Sequence, residues 1–290
     1  MELINVNGYK TKLKALSAGP EDGNLVIVVH GFPDTPRSFE GLIERLSKLG
    51  YYVVAPFQRG YDPSPIPPDG NVQVGALAMD VIAIHDEFSN GSKSVIVGHD
   101  YGAMAAYGAA NYAPEKFRKI VAASVPPGPA LAQGLLTYPQ LKKSWYMYFF
   151  LGPIAEIVLP LNGFEFIRNI WKDWSPSIDM ENKYVNEAIS AISKPANLTT
   201  VLNYYRTLFD PTRLRDELTE MQIGVTLSPS VQTLYLHGED DGCIDASLCN
   251  NLSNYLSPSS KFEIIKRAGH FLQVDQPEIF ASRVIEFIER

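Results

Sequence analysis

Cysteine is scarce. The 290 residues hold two, Cys243 and Cys249, and no Cys-x-x-Cys pair, so neither a disulfide framework nor a structural zinc site is expected. Excess positive charge is missing as well. Lys and Arg total 25 against 32 Asp and Glu, a net charge of −7, with no cluster of basic residues; a nucleic-acid partner is not expected. No long apolar run occurs. The greasiest stretch, Tyr146 to Leu161, is interrupted by Pro153, Glu156 and Pro160 and is too short for a bilayer, so no membrane insertion is expected. The opening MELINVNGYK lacks a basic region followed by an apolar core, so no signal peptide is read there and a cytoplasmic location is expected. Internal repeats and low-complexity tracts are absent. What remains is 46% hydrophobic and 20% charged, the composition of a globular chain and not of a disordered, collagenous or coiled-coil one. At ~150 residues per domain, the length allows two units or one large α/β unit with an insertion.

Short Val- and Ile-rich runs read as strands buried on both faces: Leu25–Val29, Tyr52–Ala55, Ser94–Val97, Lys119–Ala123, Thr233–Leu236 and Phe262–Ile265. Helical patterns lie between them, at Ser38–Lys48, Val74–Phe88, Ala103–Tyr112, Ala246–Leu256 and Pro277–Ile288. The alternation predicts an α/β class with a mostly parallel sheet. Met1 to Ala18 reads as an antiparallel pair on one edge. The alternation stops near Pro126 and resumes near Val231. The intervening segment carries all three tryptophans, Trp145, Trp171 and Trp174, and helical patterns at Val185–Ser193 and Leu198–Leu208. It is expected to be a helical cap, 129–228, inserted between core segments 1–128 and 229–290. A cap there covers the carboxyl ends of the strands, where open α/β sheets bind ligands.

The strand Ser94–Val97 runs into Gly98-His99-Asp100-Tyr101-Gly102 and then a helix. This is the strand–turn–helix frame of G-x-S-x-G with Asp in place of Ser. A helix cap is the plain alternative role for Asp100. As a nucleophile, a carboxylate needs no base, because it is ionised at neutral pH. It can displace at saturated carbon and leave an ester on the protein, which water must then cut with the help of a base and an oxyanion hole. His30-Gly31-Phe32-Pro33 follows the first buried strand. In this frame that loop gives one backbone N–H and the residue after the nucleophile gives the other, here Phe32 and Tyr101.

Five histidines compete for the base. His30 and His99 sit in the turns just described, His85 lies within a helix, and His237 ends a strand. His270 alone fits the chain order of nucleophile, acid, histidine. The orienting acid is expected in Gly238-Glu239-Asp240-Asp241-Gly242-Cys243, where three carboxylates are available. Two aromatic knots stand out in the insertion, Ser144-Trp145-Tyr146-Met147-Tyr148-Phe149-Phe150 and Asn203-Tyr204-Tyr205-Arg206. Aromatic residues at helical spacing are usually core, but phenolic hydroxyls aimed from a cap can also protonate a leaving epoxide oxygen.

Taken together these residues resemble the α/β-hydrolase superfamily in its epoxide hydrolase branch, which is related to the haloalkane dehalogenases. The matching segments are His30–Asp34 (HGFPD), Gly98–Gly102 (GHDYG), Ser144–Tyr146 (SWY), Asn203–Arg206 (NYYR), Gly238–Cys243 (GEDDGC) and Gly269–Phe271 (GHF), in family order across nearly the whole chain. The resemblance implies Asp100 as nucleophile, His270 as base, Asp241 as orienting acid, and Tyr146 and Tyr205 as ring-opening donors, with Tyr148 in reserve because the helix register is open. Trp145, Tyr148 and Phe271 are expected to line the substrate site. The implied activity is conversion of a small apolar epoxide to a vicinal diol, by a monomer or homodimer, with no metal or organic cofactor. Many relatives carry Asp where Phe57 stands, a change expected to alter a supporting contact. Haloalkane dehalogenation uses the same aspartate, but a tryptophan usually holds the halide where Tyr101 stands. Haloacetate dehalogenases place arginines after the nucleophile, and Tyr101-Gly102-Ala103-Met104 has none. A non-catalytic ligand-binding member of the fold should have lost nucleophile, base or acid.

Overall fold

The Val- and Ile-rich runs form the strands of one sheet. The computed structural model describes residues 1–290, with strands β1 (Glu2–Gly8), β2 (Thr11–Ala18), β3 (Leu25–Val29), β4 (Tyr52–Pro56), β5 (Ser94–His99), β6 (Phe117–Ala123), β7 (Thr233–Gly238) and β8 (Lys261–Ile265). Their spatial order is β1-β2-β4-β3-β5-β6-β7-β8. β2 pairs antiparallel with both β1 and β4, as expected of an edge hairpin, and the remaining pairs are parallel. Helices α1 (Glu40–Lys48), α2 (Val74–Phe88) and α3 (Tyr101–Tyr112) join the early strands. Between β6 and β7 lie α4 (Gly128–Leu135), α5 (Tyr138–Lys143), α6 (Trp145–Leu151), α7 (Ile154–Val158), α8 (Leu161–Trp174), α9 (Lys183–Ile192), α10 (Pro195–Phe209) and α11 (Thr219–Val225). α12 (Leu272–Asp275) and α13 (Pro277–Glu289) end the chain.

Side chains alternate across a strand, so each buried strand serves two cores. Val26 and Val28 of β3 pack with Leu42 and Leu46 of α1 and Phe280 and Val284 of α13. Ile27 and Val29 face the other way, into a cluster with α2, α3 and the inserted helices. Every residue of β3, β4, β5 and β7 is buried.

Two details depart from expectation. Ala246–Leu256 is not one helix but two 3-10 turns, Ala246–Cys249 and Leu252–Tyr255. The span carries Asn250, Asn251, Ser253 and Asn254, whose short polar side chains compete for backbone groups and weaken a helix interior. And α11, which falls inside the expected cap limits 129–228, packs on the core: Met221 and Val225 are buried, and a Cβ on Gly108 of α3 would approach Val225 to 3.0 Å.

The inserted helices are tied to the core loops beneath them. Trp171 Nε1 donates to the Pro33 carbonyl at 2.9 Å, and the Tyr204 hydroxyl donates to the Arg59 carbonyl at 2.9 Å. Asn197 Nδ2 donates to the Gly60 carbonyl at 2.7 Å. Arg59 is itself fixed by Asp80, through Nε at 2.7 Å and a second nitrogen at 2.6 Å.

Candidate active site

The elbow depends on close backbone approach. Asp100 adopts φ 53°, ψ −119° between β5 and α3, a left-handed conformation that costs energy for a non-glycine residue. The turn closes because its neighbours lack side chains. A Cβ on Gly102 would lie 2.0 Å from the Val29 carbonyl oxygen, and one on Gly31 would lie 2.3 Å from the Asp100 Cβ. The carboxylate therefore projects beyond the strand ends under the Gly31 loop. Its Oδ1 accepts the Phe32 N–H at 2.9 Å. Its Oδ2 is 3.6 Å from His270 Nε2.

His270 is wholly buried and held from several sides. Nδ1 donates to Asp241 Oδ2 at 3.0 Å. The His270 N–H donates to the Trp174 carbonyl at 2.8 Å. The His270 carbonyl accepts the Ser124 hydroxyl at 2.6 Å and His99 Nε2 at 2.9 Å. Asp241 Oδ1 accepts the N–H groups of Cys243 at 2.7 Å and Ile244 at 2.8 Å. Of the three carboxylates in that loop, Asp241 is buried while Glu239 and Asp240 are exposed.

Burial opposes charge on His270, but Cys243, Asp241 and Asp100 outweigh it and hold the ring well above the usual histidine range. Burial also pushes the Cys243 thiol up, which leaves it neutral, so the two carboxylates carry the effect. Burial would likewise raise Asp100 and Asp241, and the His270 charge reverses this, bringing both below the usual carboxylate range. The other histidines stay neutral. Burial lowers His30 to about 4. Burial, together with the His270 charge, lowers His99 to about 3. His30 serves the loop: its Nε2 accepts the Gln58 N–H at 3.0 Å. That bond uses the backbone next to Phe57, which is itself packed among apolar residues of the sheet face.

Above Asp100, α6 and α10 bring Tyr146 and Tyr205 together with ring centroids 5.7 Å apart, both wholly buried. The Tyr146 hydroxyl lies 3.3 Å from the Cys243 sulfur. The Tyr205 ring stands edge-on to Phe32 at 5.1 Å and to Tyr101 at 5.4 Å. The Tyr101 hydroxyl is buried without a hydrogen-bond partner. Burial raises Tyr146 and Tyr205 well above the usual phenol range, so both stay protonated. The other face of Tyr146 lines a surface cavity of about 390 Å³ with Trp145, Lys143, Trp174 and Gly242.

The three expected lining residues lie elsewhere. A helix turns 100° per residue, so Tyr146 and Phe150 share a face while Tyr148 points away. Tyr148 and Trp145 are each about half exposed, at 51% and 50%. Tyr148 packs on Phe209, and Trp145 on Phe149 and Phe166. Phe271 stacks on Trp171 at 3.6 Å behind the histidine. Phe150 stands at the site instead, 5.4 Å from Phe32 and 5.1 Å from Tyr205.

Sequence reasoning also missed Asp34. It is wholly buried and accepts the Thr35 N–H at 2.7 Å, the Ser38 hydroxyl at 2.7 Å and Gln273 Nε2 at 3.1 Å, linking the Phe32 loop to the helix after His270. Burial raises its carboxyl from 3.8 to about 7, against the lowering effect of those bonds. The folded form holds this proton more tightly, so stability falls as pH rises from 3.8 to about 7 and is level above that. The fall is on the order of a few kcal/mol, at about 1.36 kcal/mol per pKa unit. Asp34→Asn is expected to flatten it. Thermal melts at pH 5 and pH 8 that drop equally in variant and parent would refute this role.

The family described as alpha/beta hydrolase fold matches residues 24–277, and the chain belongs to it. The AB hydrolase superfamily protein YfhM of Bacillus subtilis is 28% identical over 296 residues, covering 99% of this chain and 97% of the relative. Epoxide hydrolase 4 of Homo sapiens is 28% identical over 294 residues, covering 99% of this chain and 78% of the relative. The crystal structure of epoxide hydrolase A from Mycobacterium thermoresistibile superposes with a TM-score of 0.78 at 23% identity, covering 99% of this chain and 98% of that one.

Proposed function

We propose that this chain is an epoxide hydrolase that converts a small apolar epoxide to a vicinal diol through an ester on Asp100. The observation that carries the reading is the pair of buried phenols, Tyr146 and Tyr205, near enough to feel the charge of an elbow carboxylate whose neighbour His270 is held by Asp241. The named epoxide hydrolases among the relatives support it. The cap that closes the site comprises α5 to α10.

In the first step an Asp100 oxygen attacks an epoxide carbon from behind. The carbon–oxygen bond breaks, and the lid phenols hydrogen-bond and protonate the departing oxygen. In the second, His270 takes a proton from water, and the resulting hydroxide attacks the Asp100 carbonyl. The oxyanion is held by the N–H groups of Phe32 and Tyr101. The diol leaves, the carboxylate is restored, and one water is consumed. Asp241 keeps Nδ1 of His270 protonated so that Nε2 faces the water.

Incubation with styrene oxide is expected to give the diol, and 1-chlorobutane is expected to give no chloride. Chloride release would favour the dehalogenase reaction, and no product from either would sink both. A single turnover in heavy-oxygen water tests the ester: the isotope should enter Asp100 first. Direct appearance in the diol would exclude the covalent route.

A further inference from the structure

Cys243 is fixed by the same turn that fixes Asp241. The N–H groups of Cys243 and Ile244 both bind Asp241 Oδ1, which directs the Cys243 side chain inward, where it is wholly buried. One oxygen of Asp241, the sulfur of Cys243 and a ring nitrogen of His270 all lie within 4.8 Å of one another. His270 Nε2 is buried and has no hydrogen-bond partner. We propose that Asp241, Cys243 and His270 form an inhibitory site for a thiophilic divalent cation of the Zn²⁺ type.

The donor set suits that ion. Sulfur, imidazole nitrogen and carboxylate oxygen are its usual ligands, at about 2.3, 2.0 and 2.1 Å, so ligand atoms in a tetrahedral shell sit roughly 3.3–3.7 Å apart. The three ligand atoms lie within 4.8 Å of one another, so each pair must close by at most about 1.5 Å to reach that shell, within reach of a side-chain rotation. Mg²⁺ and Ca²⁺, which take oxygen ligands, do not fit. Binding releases two protons to solvent, one from the Cys243 thiol and one from whichever His270 ring nitrogen becomes the ligand. A cation here takes the ring and the carboxylate away from each other, so His270 loses both its orientation and its capacity as a base. The surface cavity beside Tyr146 is walled by Lys143, Gly242 and Asp245, the last two flanking this turn in the chain.

The test uses the metal-free full-length protein titrated with buffered Zn²⁺, with binding read by equilibrium dialysis and styrene oxide hydrolysis followed in parallel. One equivalent is expected to bind, with inhibition that tracks occupancy and is reversed by EDTA. Relative to their own metal-free rates, Cys243→Ser and Cys243→Ala are each expected to raise the half-inhibitory Zn²⁺ concentration by ~10-fold or more. Cys249→Ser, which changes the other buried cysteine, should leave it unaltered, and Mg²⁺ should not inhibit. Failure of the parent to bind Zn²⁺, or equal binding by the Cys243 variants, would overturn the proposal. Should those variants not fold, Co²⁺ added to the parent must show a thiolate charge-transfer band, and its absence is equally fatal. Dialysis and the Co²⁺ spectrum need no epoxide turnover, so their result stands apart from the fate of the hydrolase reading.

Discussion

Replacing His270 with Gln is expected to leave a protein that consumes a single equivalent of epoxide and stops. Intact mass should rise by the mass of the substrate, the added mass should map to the peptide holding Asp100, and steady-state turnover should drop by ~10²–10⁴-fold. The reasoning follows from which step needs a base. Asp100 is held ionised and attacks without help, whereas water does not cut an alkyl ester at neutral pH unless a base takes its proton. In the free protein His270 carries a proton between two carboxylates. Alkylation of Asp100 erases one of those charges, so the imidazolium loses a stabilising partner and its affinity for the proton falls. The ring is thereby released to act as base only after the ester has formed. The proton it sheds balances the one that the phenols give to the alkoxide. The sign of the pH dependence follows: ester breakdown in the parent slows as pH falls through the pKa of His270 in the ester state. A His270→Gln protein should show no such limb. Normal turnover by that variant, or an added mass on any other peptide, would remove His270 and Asp100 from these roles.

Much of this was legible in the chain, for reasons that differ by residue. The elbow could be read because Gly98 and Gly102 flank a charged residue between a Val-rich strand and a helix, and few other folds need that combination. His270 was legible because topology fixes the chain order of nucleophile, acid and histidine, whereas Asp241 followed only from the resemblance, since Glu239 and Asp240 share its loop. The cap was readable as helical but not in register. Tyr146, Trp145 and Tyr148 are close neighbours in sequence, and only the rotational phase of α6 decides which faces inward. An i, i+4 spacing does not set that phase, because Trp145 with Phe149 and Tyr146 with Phe150 satisfy it equally. Phe271 misled because adjacency to a functional histidine says nothing about which side of the loop a ring falls on. Ser124 escaped notice, and His99 and Trp174 were seen without this role, because all three bond the backbone of His270, and such contacts leave no motif. Asp34 escaped because its partners, Ser38 and Gln273, are drawn from opposite ends of the chain.

The paired phenols give the other large effect. Tyr205→Phe and Tyr146→Phe are each expected to slow formation of the ester, and the double variant should lose ~10²–10⁴-fold in that step. Breakdown of preformed ester should be unchanged, because the proposed role of the phenols is toward the leaving oxygen and not toward the Asp100 carbonyl. Rapid mixing of excess protein with epoxide, with quenching before hydrolysis, separates the two steps. Tyr148→Phe is the internal control: its half-exposed ring rests on Phe209, and its loss of a hydroxyl should change neither step. The fold should tolerate the site variants, since the Tyr146 hydroxyl gives up only a weak contact to sulfur and both rings remain to fill the aromatic cluster. Burial holds both phenols protonated beyond the usual phenol range, so ester formation should show no alkaline decline below about pH 10, where a free phenol titrates. Each outcome bears on a different atom. A double variant that forms ester at the parent's rate would mean that the departing oxygen takes its proton from elsewhere. An alkaline decline that disappears in Tyr205→Phe alone would assign the proton to one phenol and reduce the other to orienting the ring.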